Sequence, residues 1–115
     1  YAAFVELHIE QGPLLEQENL PIGVVTAIAA PAAFAVHLEG EGGHAGAVLM
    51  PTRKDALCAA AEIVLAVEAA AKGTGSPDAV ATTGTCRVHP GAINSVPSQV
   101  TLLVDVRDVR LEPRD

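Results

Sequence analysis

Two imidazoles stand in settings that could do chemistry. His8 lies in Glu6-x-His8-x-Glu10, where alternation along an extended chain puts one ring and two carboxylates on the same face. Imidazole suits Zn or Mn, and neighbouring carboxylates serve as further ligands or as groups that orient the ring. A polar strand edge writes the same pattern. His44 lies in the run VHLEGEGGHAGAVLMP, Val36–Pro51, within the turn Gly42-Gly43-His44-Ala45-Gly46. An alternating stretch stops at this turn, and a helical pattern begins after Pro51. Strand, glycine turn, histidine, helix is a way to hold a polar group rigidly at the lip of a sheet. The glycines open backbone angles closed to other residues and let a ligand or another chain come close. A plain strand-to-helix connection with an incidental exposed histidine is the alternative.

The elements that must position these rings follow from periodicity. Phe4–Glu10 alternates, with Val5, Leu7 and Ile9 on one side, and reads as a strand ended by Gln11-Gly12-Pro13. Leu14–Asn19 makes a short helix with Pro13 at its first position. Ile22–Ile28 is a β-branched run, and Ala29-Ala30-Pro31-Ala32 reads as a hinge before the strand Ala33–Glu39, which puts a domain boundary near Ile28–Pro31. Thr52 and Asp55 start a helix over Arg53–Lys72, whose apolar stripe is Leu57, Ala60, Val64, Val67 and Ala71; Gly73–Pro77 ends it. Val80–His89 and Gln99–Arg107 are strands, the second with Val100, Leu102, Val104 and Val106 toward the core and Thr101, Asp105 and Arg107 opposite. The loop Pro90–Ser98 between them is too long and proline-rich for a tight hairpin, and such loops on a rigid sheet often carry function. Strand, helix, strand, strand is three-quarters of a split βαβ, ferredoxin-like fold. The class is α+β, an antiparallel sheet backed by helices on one face, with the missing helix and strand expected after Asp115.

Composition narrows the partners. The 115 residues leave room for one small domain, and with 3% aromatics and no Trp its core must be built from Ala, Val, Leu and Ile. A net charge of −7 argues against nucleic acid or an anionic membrane as the main partner. No apolar run reaches membrane-spanning length, since Glu62 and Glu68 interrupt the alanine-rich segment. Cys58 and Cys86 lack metal-ligand spacing and read as two buried free thiols. The opening at Tyr1 without Met and the close on Glu112-Pro113-Arg114-Asp115 read as an excerpt of a longer protein, which leaves any targeting signal out of view.

Four motifs occur together in one order: Glu6-Leu7-His8-Ile9-Glu10-Gln11-Gly12-Pro13, Gly43-His44-Ala45-Gly46, Pro90-Gly91-Ala92-Ile93-Asn94-Ser95-Val96-Pro97 and Asp105-Val106-Arg107. In this combination the chain resembles the amidase, hydantoinase and carbamoylase branch of the di-metal amidohydrolases and aminoacylases, over essentially its whole length. The resemblance implies a larger α/β domain that holds two divalent ions, Mn or Zn, with a ferredoxin-like lid domain inserted into it. Residues 1–28 are then the tail end of the metal-binding domain, and residues 29–115 are most of the lid, which makes a homodimer. His8 corresponds to a metal ligand, the one ligand within these residues, and Gln11 to a substrate contact. His44 corresponds to the lid histidine that polarises the scissile carbonyl and stabilises the tetrahedral intermediate, in related enzymes within the partner subunit's site. Asn94 and Arg107 correspond to groups that hold the substrate's carboxylate and its polar neighbours.

Those roles suit the residue types. An imidazole can donate where an oxyanion develops, Arg107 offers a planar fork for a carboxylate, and Asn94 both donates and accepts. Arg107 paired with Asp105 or Asp108, and Asn94 as a turn residue, are the plain structural alternatives. The reaction implied is hydrolysis of a small linear ureido acid, with ureidoglycolate first and allantoate or an N-carbamoyl-amino acid second. The other metal ligands and the general base lie outside the stretch, so the isolated chain is expected to be inactive. A ferredoxin-like dimerisation or ligand-binding module without chemistry is the reading from another class. His37 and His89 correspond to no functional position. For assembly, Ala59, Ala60, Ala66 and Ala70 offer a close-approach helix surface, and the strand Phe34–Glu39 could pair with its copy. The resemblance implies the cytoplasm for a bacterial protein and the endoplasmic reticulum for a plant-like one.

Overall fold

A computed structural model describes residues 1–114. Its centre is a three-stranded antiparallel sheet of β1 (Ala30–Glu39), β3 (Val80–His89) and β5 (Gln99–Asp108), in the order β1-β5-β3. β2 (Gly43–His44) and β4 (Ser95–Val96) form a separate two-stranded ribbon. The main helix α2 (Ala56–Gly73) links β1 to β3, and short helices α1 (Leu14–Gln17) and α3 (Leu111–Arg114) lie near the ends. With β5 between β1 and β3, and antiparallel to both, the first two long strands run parallel and are bridged by α2. This is the split βαβ arrangement, the first three strands of a ferredoxin-like sheet.

The alternation in β5 sets the layers. Val100, Leu102 and Val104 are buried and face α2 together with Val36, Leu38 and Val88. Burying each such side chain contributes about 1.5–3 kcal/mol. Leu103, out of phase with that pattern, is exposed on the open face. α2 presents Ala56, Ala60 and Ile63 to the sheet. Leu57 and Val64, expected in the buried stripe, are exposed at 39% and 36%. The helix is apolar nearly all round, so its periodicity alone does not fix which face turns inward. Ala60, expected on a surface open to a copy, is instead packed against the sheet.

Other boundaries shift for identifiable reasons. The N-cap of α2 is Asp55, whose carboxylate accepts the Leu57 and Cys58 amides at 2.9 and 3.4 Å. Thr52 ends a 3₁₀ turn, Met50–Thr52, instead of opening the helix. β1 begins at Ala30 and not Ala33: Pro31 is accommodated because β1 is an edge strand among the described residues. The alternating stretch Phe4–Glu10 and the run Ile22–Ile28 form no strand, since no described strand offers them a ladder partner. Their apolar residues are exposed, Leu7 at 92% and Val24 at 88%. Both cysteines are exposed, contrary to expectation: Cys58 lies on an uncovered side of α2 and Cys86 on the edge strand β3.

Candidate functional site

The GHAG turn and the Pro90–Ser98 loop meet in the β2–β4 ribbon. Gly43 pairs with Val96 and His44 with Ser95, and the Ala45 amide donates to the Asn94 carbonyl at 2.9 Å. Two segments about 50 residues apart in sequence therefore hold His44 and Asn94 side by side. Val96 is fully buried and anchors the ribbon, whereas His44 and Asn94 are exposed. The chain closes tightly after His44: Ala47 and Val48 donate to the His44 carbonyl at 2.9 and 3.1 Å, and the Gly46 amide donates to His44 Nδ1 at 3.1 Å.

The glycines here serve close approach, not unusual backbone angles. Among the described residues, the glycines with positive φ are Gly75 and Gly91, and none of the GHAG turn's is among them. A Cβ on Gly43 would stand 2.5 Å from Val48 Cγ2, and one on Gly46 would stand 3.3 Å from the His44 ring. Small size is the requirement.

Sequence reasoning missed Arg53. Its Nη2 donates to the carbonyls of Ala45 and Val48, both at 2.7 Å, and its Nε to Val48 at 3.2 Å. The side chain is partly buried beneath the turn, and it staples the loop that carries His44. Only a basic residue shortly after the glycine turn could have hinted at this. The alternation of the following helix drew it into the wrong element instead.

Arg107 lies elsewhere. The ribbon joins the sheet at the Gln99 end of β5, and Arg107 sits eight residues further on, roughly 27 Å along the strand at about 3.4 Å per residue. There it faces Asp105, whose Oδ2 accepts from Arg107 Nε at 2.8 Å and Nη2 at 2.7 Å. That hydrogen bond, and then the opposite charge, raise the Arg107 pKa above its ordinary value. Thus the pairing with Asp105 that the sequence left open is formed, while Arg107 remains half exposed. His37, which corresponds to no functional position, meets Thr101 Oγ1 through Nδ1 at 3.2 Å.

His8 and Gln11 belong to the N-terminal segment. The Glu10 carboxylate, a neighbour of His8 in sequence, accepts the Leu14 and Leu15 amides at 3.1 and 3.2 Å and so caps α1. Gln11 has φ 59°, a left-handed conformation uncommon for a non-glycine residue and frequent at functional positions. Among the described residues no three His, Cys, Asp or Glu side chains are grouped to hold a metal ion. His8 alone does not make a metal centre.

The fold and ribbon define a split βαβ domain that presents a loop-borne imidazole on a ribbon whose other strand follows Asn94. The chain's close homologues are amidohydrolases of the hydantoinase/carbamoylase family. It is 63% identical over 109 residues to ureidoglycolate hydrolase of Oryza sativa subsp. japonica, covering 95% of this chain and 22% of that protein. It is 46% identical over 112 residues to N-carbamoyl-L-amino-acid amidohydrolase of Pseudomonas sp. (strain NS671), covering 97% and 27%. The crystal structure of AtUAH in complex with (S)-hydroxyglycine superimposes with a TM-score of 0.88 at 60% identity, covering 93% of this chain and 25% of that one. An amidase of the hydantoinase/carbamoylase family from Burkholderia multivorans gives 0.86 at 38% identity, covering 92% and 26%. No family model matches. The chain spans about a quarter of the length of the relatives it matches.

Proposed function

We propose that this chain is the lid portion of a metal-dependent amidohydrolase that cleaves a small linear ureido acid, with ureidoglycolate as substrate. The observation that carries this reading is the β2–β4 ribbon, which unites His44 with Asn94 on two loops of otherwise separate sequence. The 63% identity to a ureidoglycolate hydrolase supports that substrate over an N-carbamoyl-amino acid, whose enzyme is matched at 46%. The lid begins at residue 29. Residues 1–28, with their uncovered apolar side chains, belong to the metal-binding domain, whose sheet supplies the partners they lack here.

In this reading each residue does what its chemistry allows. His44 donates a hydrogen bond to the carbonyl oxygen as it becomes tetrahedral and anionic. Asn94 bonds polar groups next to the scissile carbon, and Arg107 binds the carboxylate with the donors Asp105 leaves free. Gln11 contacts substrate from the catalytic side. The ions the family implies, two of Mn or Zn, would take His8 as one ligand and the rest from residues outside this chain. They would supply Lewis-acid activation of water and carbonyl.

The same geometry supports a homodimer. A ureido acid is a few ångströms long and does not span the roughly 27 Å between the ribbon and Arg107 along β5. If both serve one substrate, they come from two copies. A fourth strand completing the ferredoxin-like sheet would lie beside β1, which leaves β3, not Phe34–Glu39, as the edge open to a copy. The test is an assay of the full-length protein with ureidoglycolate, allantoate and N-carbamoyl-amino acids, before and after chelation. The highest kcat/KM on ureidoglycolate, lost with metal, supports the proposal. Turnover of none of them overturns it.

A further inference from the structure

We infer that the Gly46 amide sets the tautomer of His44, holding Nδ1 as the acceptor and placing the ring proton on Nε2. This rests on the reading of His44 as the oxyanion donor and says how it is kept ready to donate. A neutral imidazole has one donor nitrogen and one acceptor, and its hydrogen bonds decide which is which. The Gly46 N–H reaches His44 Nδ1 at 3.1 Å. Only an unprotonated Nδ1 can accept it, so the neutral ring carries its proton on Nε2.

The neighbouring amides make the assignment firm. Ala45 donates to Asn94, and Ala47 and Val48 donate to the carbonyl of His44, so Gly46 is the one amide of residues 45–48 turned toward the ring. Size matters as well as direction. A Cβ at Gly46 would lie 3.3 Å from His44 Cε1 and 3.4 Å from Nδ1, so any larger residue would press the ring aside by a few tenths of an ångström. Gly46 is therefore a positioning residue: it touches no substrate and acts through His44. Without its bond, the ring is free to carry the proton on Nδ1, and Nε2 then faces the developing oxyanion with a lone pair in place of a hydrogen.

The experiment uses the full-length enzyme labelled with ¹⁵N-histidine, with the His44 signals identified by their loss in His44→Gln. Above the pH where the ring is charged, the ring nitrogen shifts are expected to show Nε2 protonated and Nδ1 bare. A His44 found mainly as the Nδ1–H form overturns the inference. Gly46→Ala keeps the amide but crowds the ring. It is expected to lower kcat roughly tenfold, short of the 10²–10³-fold cost of losing an oxyanion donor, with KM and metal content unchanged. If Gly46→Ala fails to fold, the wild-type spectrum alone decides. Full activity in His44→Ala would instead sink the oxyanion-donor reading, whatever the tautomer, and so the two failures are distinguishable.

Discussion

Arg107 and Asp105, two residues apart on one face of β5, form a fork on a single oxygen: Nε and Nη2 both donate to Asp105 Oδ2, at 2.8 and 2.7 Å. The guanidinium is held in one plane on the open side of the sheet, and its remaining N–H groups stay free for an anion. An exposed ion pair adds little to stability, so its worth lies in orientation.

Under the proposed function, Arg107→Ala in the full-length protein should raise KM for the ureido acid by roughly tenfold or more, the scale of one charge-assisted contact. Asp105→Asn should raise it by a smaller factor and add nothing in the Arg107→Ala background. Steady-state kinetics on the double-mutant cycle checks both points. Additive effects would mean that Asp105 acts by some other route.

Gly40 tests the packing at the other end of β1. A Cβ there would come within 2.2 Å of the Lys54 carbonyl and 2.9 Å of the Ala56 amide, both backbone at the start of α2. Backbone cannot move aside as a side chain can. Gly40→Ala should therefore destabilise the domain by about 1–3 kcal/mol or more, read as a clear drop in Tm. An unchanged Tm would mean that α2 does not enter the sheet where the structure has it.

The elements with one buried face were legible in the sequence. β5 lies where alternation put it, one residue longer, because a half-buried strand writes its burial in every second residue, and β3 spans the expected Val80–His89. Phe4–Glu10 alternates as clearly and is not a strand here, since a pattern states a face to be covered and not what covers it. The inward side of α2 was not legible, because Leu57 and Val64 are as apolar as the Ala56, Ala60 and Ile63 that pack. Motif order marked His44 and Asn94. Arg53 was not legible, because its carbonyl partners are brought to it only when the turn folds back.

Arg53→Lys keeps the charge but cannot donate in a fork to the Ala45 and Val48 carbonyls. The turn should loosen, with hydrogen exchange of the 45–48 amides accelerated and kcat reduced several-fold. Hydrogen bonds from a charged donor contribute about 1.5–3 kcal/mol each, enough for a local opening of this kind. Unchanged exchange in Arg53→Lys would show that the backbone bonds hold the turn unaided.

Asp108 carries a pH dependence. It is buried, and the Ser76 hydroxyl, then the Arg110 amide at 2.8 Å, hold its carboxyl below the usual carboxylate range. A group with a depressed folded pKa stabilises the fold above its unfolded value, about 3.9, and loses that contribution as pH falls through the folded value. Asp108→Asn should therefore be less stable than wild type at neutral pH, with the gap in Tm closing as pH drops below about 4. A gap that stays constant across the acid range would assign the loss to packing alone.

The separation of Arg107 from His44 along β5 is open to a subunit-exchange experiment. If a site takes Arg107 from one chain and His44 from its partner, the variants Arg107→Ala and His44→Ala are each impaired in every site of their own homodimers. In a mixed dimer, one site receives both altered residues and the other receives neither. Random reassortment should then restore roughly a quarter of wild-type activity, since half the dimers are mixed and each holds one intact site. Native mass spectrometry confirms that mixed dimers form. Mixed dimers that stay at the level of the two parents would place His44 and Arg107 in the same chain's site, or in no common site, and would remove the twofold arrangement from the proposed function.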